Sequence, residues 1–269
     1  MLKFLLQTVE NKVRHDFVFE MEHAIDYQNW RGNNMIAEYC SLADIKEGCM
    51  FIDSDEIREY IPIGTVEFVY AFIDKFIKEN GSKEIRPLNV PEELFEFAGR
   101  KIGNYIIGDD KDIREQLYNE YSDTDYFYLK SNKRIKSDIN DAYKADEILY
   151  ANTIPEGEYQ ISEYIDIVSE YRCFVYNDRL IGIQYYSGEF DVFPDTNTIY
   201  EMLEKYKYDN GNAPQAWTLD VAIDDYGKTI VMECHEFFSC GLYGFNDYNV
   251  LPYMFIRTFN NIKNKIIKK

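Results

Sequence analysis

The sequence has no apolar run long enough to cross a membrane. Its apolar opening, Met1–Leu6, meets Gln7 at once, whereas a spanning helix needs about 20 apolar residues and a secretory leader an apolar core of about 7–15. The expectation is a soluble, cytoplasmic protein with no membrane partner. Cysteine is sparse, and Cys40, Cys49, Cys173, Cys234 and Cys240 include no C-x-x-C pair. That spacing excludes a disulfide framework or a structural zinc site and points to reduced thiols. Positive charge is also short. Against 48 acids stand 29 Lys and Arg, for a net charge of -19, so general nucleic-acid binding, which needs clustered cations, is not expected. A basic partner or mimicry of nucleic acid is the functional alternative to plain solubility, but the acids are scattered along the chain rather than gathered in one block. No GxxxxGK[ST] or GxGxxG loop occurs. Nor does a Ser-His-Asp or Cys-His pattern, an internal repeat or a low-complexity stretch.

What is present begins with aromatics, 24 Tyr and 18 Phe, many of whose rings should be half-buried with hydroxyls near water. Along the chain, Met1–Leu6 reads as a buried strand, Asp16–Glu22 alternates like a second and Cys49–Asp53 suggests a third. Thr65 then caps a helix in which Val69, Phe72, Ile73, Phe76 and Ile77 recur at helical steps, with Gly81 just past its end. These elements predict an α/β module over residues 1–90, and Pro87 and Pro91 mark the boundary to a second unit, 91–269. In that unit Pro91–Leu94 opens a helix and Asp112–Tyr121 forms another. Tyr126–Leu129 is a strand running into the basic loop Lys130–Lys136, and Tyr159–Ile167 is a strand. Tyr171–Tyr176 and Leu180–Tyr185 make a hairpin around Asn177–Asp178. Asn197–Tyr206 is helical, and a helix from about Tyr248 closes the chain on Lys263, Lys265, Lys268 and Lys269, which suit a helix C-terminus.

The stretch Leu219–His235 carries the most chemistry. Two strand-patterned runs flank a turn, and with Tyr226–Gly227 as a two-residue loop Ile223 faces Ile230 and Asp220 lies opposite Glu233. Like charges so placed repel, and a cation between them would remove the penalty. His235 follows Glu233 by the strand period and points the same way. Asp220, Glu233 and His235 thus form a candidate divalent-metal site. The alternative, acids on a wetted face with a surface histidine, stays open, because a one-residue slip of register would separate the two acids. Two further clusters stand out. Lys130, Arg134 and Lys136 are either phosphate contacts or solvated loop cations. Glu163 lies in the run Ser162–Ile165, and Glu170 and Arg172 follow it, an exposed ion pair being their ordinary reading. A nucleoside triphosphate needs cations for its phosphates, acids for Mg²⁺ and a segment for base and ribose.

The ordered set Phe127–Lys130, Ile135–Lys136, Ile161–Ile165, Ser169–Val175, Leu219–Val221, Glu233–His235 and Gly241–Gly244 resembles the ATP-grasp superfamily. It looks most like the phage and bacterial subgroup in which an arginine replaces one of the usual phosphate-binding lysines, so a phage-encoded chain would work in its host's cytoplasm. Pro62–Phe68 and Leu88–Pro91 are similar to segments of the same subgroup. The resemblance implies an α/β and α+β fold, an N-terminal α/β pre-ATP-grasp domain followed by a bilobal core with antiparallel sheet. By the same similarity Lys130 and Lys136 contact phosphates or adenine, Glu163, Tyr164 and Ile165 lie at the adenine and ribose hinge, and Arg172 faces the phosphates. Arg172 and Lys136 would act in catalysis, and Asp220 and Glu233 would hold Mg²⁺.

The superfamily usually has Asn where this chain has His235, which leaves His235 as a ligand, as a neighbour of one, as a reason to favour Mn²⁺ or as a mark of weakened catalysis. The activity implied is ATP-dependent ligation of a carboxylate to an amine or thiol through an acylphosphate, with a peptide or protein among the substrates it allows. The first alternative is a nucleotide-binding or protein-interaction module that has lost ligation. A metal-dependent phosphodiesterase is a third reading, and it leaves the Lys and Arg positions unexplained.

Overall fold

The computed structural model describes residues 1–9, 15–48, 52–53, 56–108, 111–123, 126–133, 140–150 and 154–268. The chain opens with β1 (Leu2–Thr8), α1 (Asp16–Trp30), β2 (Met35–Ser41) and α2 (Leu42–Glu47), followed by β3 (Tyr60–Ile63) and α3 (Val66–Phe72). Asp16–Glu22, expected as a strand, is the first half of α1. Over seven residues its apolar positions fit either period, but Phe17, Val18, Met21, Ala24 and Ile25 are the ones buried, and Phe19, which alternation would bury, is half exposed. Parallel β1 and β2 also need a crossover between them, and α1 supplies it. Strand β2 was not read from the sequence. Most of Cys49–Asp53 lies outside the described residues, and the third strand is β3, which pairs parallel with β1. Thr65 caps α3 as expected, its hydroxyl accepting from the Phe68 N–H.

A 3-10 turn at Glu92–Phe97, led by Pro91, precedes β4 (Ile102–Ile107), α4 (Lys111–Tyr121), β5 (Phe127–Ser131), β6 (Asn140–Tyr143), α5 (Ala145–Tyr150) and β7 (Gly157–Glu163). Next come β8 (Ile167–Tyr176), β9 (Arg179–Gly188), α6 (Thr196–Lys205), β10 (Ala216–Asp224), β11 (Thr229–Glu236) and α7 (Leu251–Lys268). Among the described residues three sheets result, with orders β2-β1-β3, β4-β7-β5-β6 and β11-β10-β8-β9. The first is parallel and the other two are antiparallel. The expected strand Tyr159–Ile167 breaks after Glu163, and Tyr164–Asp166 bridge from the second sheet to the third.

Each sheet packs into an apolar core. The first packs on α1, α3 and α7, and its core continues into Phe174, Phe237 and Phe245. The third buries Leu219, Val221, Cys173 and Cys234 against α6 and the Pro91 turn. The second buries Leu129, Ile161 and Phe127 against Leu117 and Tyr121 of α4. Polar residues on the other faces of the second and third sheets, Lys130 and Gln160 on one and Glu170 and Glu233 on the other, line a shared cleft. Cys40, Cys173, Cys234 and Cys240 are all buried.

Candidate functional site

The β10–β11 hairpin sets one wall of the cleft. Its turn is longer than two residues, since Asp224 Oδ1 accepts from the N–H groups of Tyr226 and Lys228 at 3.1 and 2.7 Å. The strands therefore leave the turn one residue out of the expected register, with Ile223 opposite Thr229 and Val221 opposite Val231. A β-bulge at Met232 restores it, so Asp220 does lie opposite Glu233. Such a bulge re-aims side chains. Here Met232 and Glu233 both line the cleft, while Val231 and Cys234 remain in the core behind it.

Arg172 on β8 lies cross-strand from Asp220, so Arg172, Asp220 and Glu233 form a row across three strands. The guanidinium grips both carboxylate oxygens of Asp220, Nε to Oδ1 at 2.8 Å and Nη2 to Oδ2 at 2.7 Å, and Nη1 donates to the Gly241 carbonyl at 3.1 Å. Both residues are almost wholly buried, Arg172 at 6% and Asp220 at 1% exposure. Burial works against the guanidinium's charge, but the bonds to Asp220 reverse that and raise its pKa. Glu233 receives the ammonium of Lys130, which reaches across from β5 in the facing sheet. Its other oxygen lies 2.5 Å from His235 Nε2, which is itself 3.8 Å from Asp220. Burial favours protonation of Glu233, and the neighbouring His235 and Lys130 overcome it and hold the carboxyl well below its usual range.

Ligand atoms of Asp220, Glu233 and His235 all lie within 4.8 Å of one another, a spacing that a cation with ligand bonds of about 2.0–2.1 Å nearly bridges. The donor set fits a hard divalent cation in its two carboxylates. Both of these already hold cationic side chains.

The cavity beside this row has a volume of about 350 Å³, and Lys130, Glu163, Tyr164, Ile165 and Glu233 all line it. Glu163 Oε2 accepts the Lys101 N–H at 2.7 Å. Lys130 belongs to a strand, not to the expected basic loop, and Arg134 and Lys136 lie outside the described residues. Three further cleft residues were not singled out as site residues from the sequence. Glu170, two residues from Arg172, is bound instead by the Tyr186 hydroxyl at 3.1 Å. Its pKa is raised by burial and by the charges of Asp220 and Glu233, against the pull of that hydroxyl. Arg100 donates to the carbonyls of Ala98 and Val231, and burial lowers its pKa to about 10. Glu170 carried a sequence signal, its spacing from Arg172. Tyr186 and Arg100 carried none, because only the tertiary fold brings them to the cleft.

Two facing antiparallel sheets closing on a charged cleft, with a parallel module before them, define the ATP-grasp fold. A family model described as an ATP-grasp domain, the second family of its clade, matches residues 97–253, more than half of the chain, and the chain belongs to that family. Among solved structures it is similar to the D-cycloserine synthetase DcsG, with a TM-score of 0.56 at 12% identity over 98% of this chain and 99% of that one. It is also similar to D-alanyl-alanine synthetase A from Vibrio cholerae O1, with a TM-score of 0.57 at 9% identity over 97% and 100%. A third likeness is to the ATP-grasp ligase PsnB complexed with a phosphomimetic variant of its minimal precursor, Mg and ADP, with a TM-score of 0.51 at 9% identity over 96% and 97%. No curated protein matches. Among the described residues no helix is long and apolar enough to cross a membrane.

Proposed function

We propose that the chain is an ATP-dependent ligase that joins a carboxylate to an amine, or to a thiol, through an acylphosphate. The observation that carries this reading is the row Arg172–Asp220–Glu233 on one sheet with Lys130 reaching it from the other. Cations and metal-binding acids then meet along one edge of a cavity of nucleotide dimensions. Residues 1–90 serve as the N-terminal unit on the acceptor side and 91–269 as the nucleotide-binding core, working in the cytoplasm.

Glu163, Tyr164 and Ile165, at the crossing from β7 to β8, hold adenine and ribose, and Glu170 offers a carboxylate to the ribose hydroxyls from the same cavity. Lys130 and Arg172, with Lys136, neutralise the phosphates, and Arg172 takes the place of a second lysine. Asp220 and Glu233, with His235 beside them, hold Mg²⁺ or Mn²⁺. When bound, that ion supplies charge neutralisation on the phosphates. The substrate carboxylate attacks the γ-phosphorus, the bond to ADP breaks, and ADP leaves with the electron pair. The amine then attacks the acyl carbon and inorganic phosphate departs. Little covalent chemistry falls to the protein in such a transfer, which agrees with the absence of a nucleophile pattern. The PsnB complex with its precursor, Mg and ADP supports a peptide or protein as one substrate.

A second reading, a nucleotide-binding or interaction module without ligation, draws on His235 and on the internal pairing of Lys130 and Arg172 with the two acids. ADP release measured over a panel of acids and amines separates the two. With an ¹⁸O-labelled carboxylate the ligase reading expects label in the released phosphate. ATP bound tightly with no turnover for any pair would favour the module.

A further inference from the structure

The loop from Ser239 to Gly244 lies between Arg172 on the cleft wall and the N-terminal unit, in contact with both. Its backbone belongs to no helix or strand, and Ser239 and Tyr243 have φ values of 52° and 49°. Non-glycine residues occupy that left-handed region at a cost, so the loop's shape must be imposed from outside. Two of the ties that impose it come from the N-terminal unit. Asp16, in the first turn of α1, accepts the N–H groups of Leu242 and Tyr243 on its Oδ2 at 2.6 and 3.2 Å. Ser239 Oγ donates to the Gly64 carbonyl at 2.5 Å.

The loop in turn touches the site at two points. Its Gly241 carbonyl accepts from Arg172 Nη1. Its Tyr243 ring lies 5.1 Å from the Arg172 guanidinium and stacks on Tyr186 at 5.0 Å, and Tyr186 is the residue that binds Glu170. Asp16 thus stands at the head of a continuous set of contacts running through the loop to the guanidinium. A carboxylate accepting backbone N–H groups forms the stronger, charge-assisted kind of hydrogen bond, which suits an anchor.

We propose that Asp16 is a positioning residue: it fixes the 239–244 loop from the N-terminal unit and so holds Arg172 in the orientation that faces the nucleotide. The part played by Arg172 rests on the nucleotide-site reading. The part played by Asp16 in fixing the guanidinium does not.

The test uses the full chain with Asp16→Asn, which keeps the shape but loses the charge. Asp195→Asn is the control, a helix cap whose carboxylate accepts backbone N–H groups of its own helix from Asn197 and Thr198, as Asp16 also accepts that of Phe17. The first readout is solvent exchange of the Arg172 Nε–H by NMR, assigned by its loss in Arg172→Lys. The second is affinity for ATP with Mg²⁺ by titration calorimetry. Asp16→Asn should speed the exchange and weaken ATP binding, each about tenfold, as loss of one charge-assisted contact implies. In an Arg172→Lys background the same change should cost less than about twofold, since coupled residues are not additive.

Should Asp16→Asn fail to fold, Ser239→Ala cuts the other of these ties and should shift both readouts in the same direction. Unchanged exchange in Asp16→Asn, or equal acceleration in Asp195→Asn, overturns the proposal. So does tighter ATP binding, which would make Asp16 a plug rather than an anchor. Faster exchange in a protein that binds no ATP would leave the positioning role standing and remove the nucleotide reading.

Discussion

Breaking the Arg172–Asp220 pair should cost far more stability than its place on a cleft wall suggests. The two side chains share two bonds of 2.7–2.8 Å, and both are buried. Arg172→Met leaves the Asp220 carboxylate at 1% exposure with its two-bond partner gone and only His235, 3.8 Å away, beside it among the described residues. Asp220→Leu leaves the guanidinium, among the described residues, with the Gly241 carbonyl and two aromatic rings. Removing one member of a buried ion pair typically costs about 3–5 kcal/mol, because the remaining charge stays desolvated. Replacing both members with apolar groups is often close to neutral.

Urea unfolding should therefore give each single variant a loss of about 3–5 kcal/mol, and the double variant Arg172→Met/Asp220→Leu a loss of about 1 kcal/mol or less. The double variant should still fold and yet bind no nucleotide, which separates what the pair does for stability from what it does at the site. Salt should change these differences little, since buried pairs are poorly screened. Single losses under about 1 kcal/mol, or a double variant matching the sum of the singles, would refute the reasoning.

Three other expectations follow from the same geometry. Gln160 bonds the Val90 N–H and carbonyl at 3.0 and 2.9 Å, joining β7 to the segment just before the Glu92–Phe97 turn. Gln160→Leu strands both buried groups and should cost about 2–4 kcal/mol in a denaturant titration. Because the Glu233 carboxyl is depressed, its stabilising contribution should be present above the ordinary glutamate range and vanish as pH falls through the folded value. Stability curves of wild type and Glu233→Gln should accordingly converge in acid and part as pH rises. Glu170 has the opposite sign: its raised pKa means that ionising it costs folded-state stability, so Glu170→Gln should gain on wild type as pH rises above that range. A Glu170→Gln curve parallel to wild type would count against its burial beside Asp220 and Glu233.

The site was legible where local pattern and resemblance agreed. Asp220, Glu233 and His235 share one face as the strand period requires. The turn and the Met232 bulge were not readable, because two one-residue errors of register cancelled at Asp220, and a bulge leaves no mark in alternation. Lys130 was named but misplaced, since the charge cluster drew the loop boundary two residues too early. The misreading of Asp16–Glu22 has the plainest cause. A seven-residue window of D-F-V-F-E-M-E supports both periods, and only the need to link two parallel strands decides for the helix. Arg100, Tyr186 and the Asp16 contact, which spans 226 positions, arise from chain crossings on which no local periodicity bears.

The most direct test of the account is calorimetric titration of the chain with ATP, with and without Mg²⁺, alongside Glu233→Gln. The account expects ATP binding that strengthens with Mg²⁺ in wild type, and loss of that metal dependence when Glu233 becomes Gln. Absence of ATP binding, or binding indifferent both to Mg²⁺ and to Glu233, would contradict it.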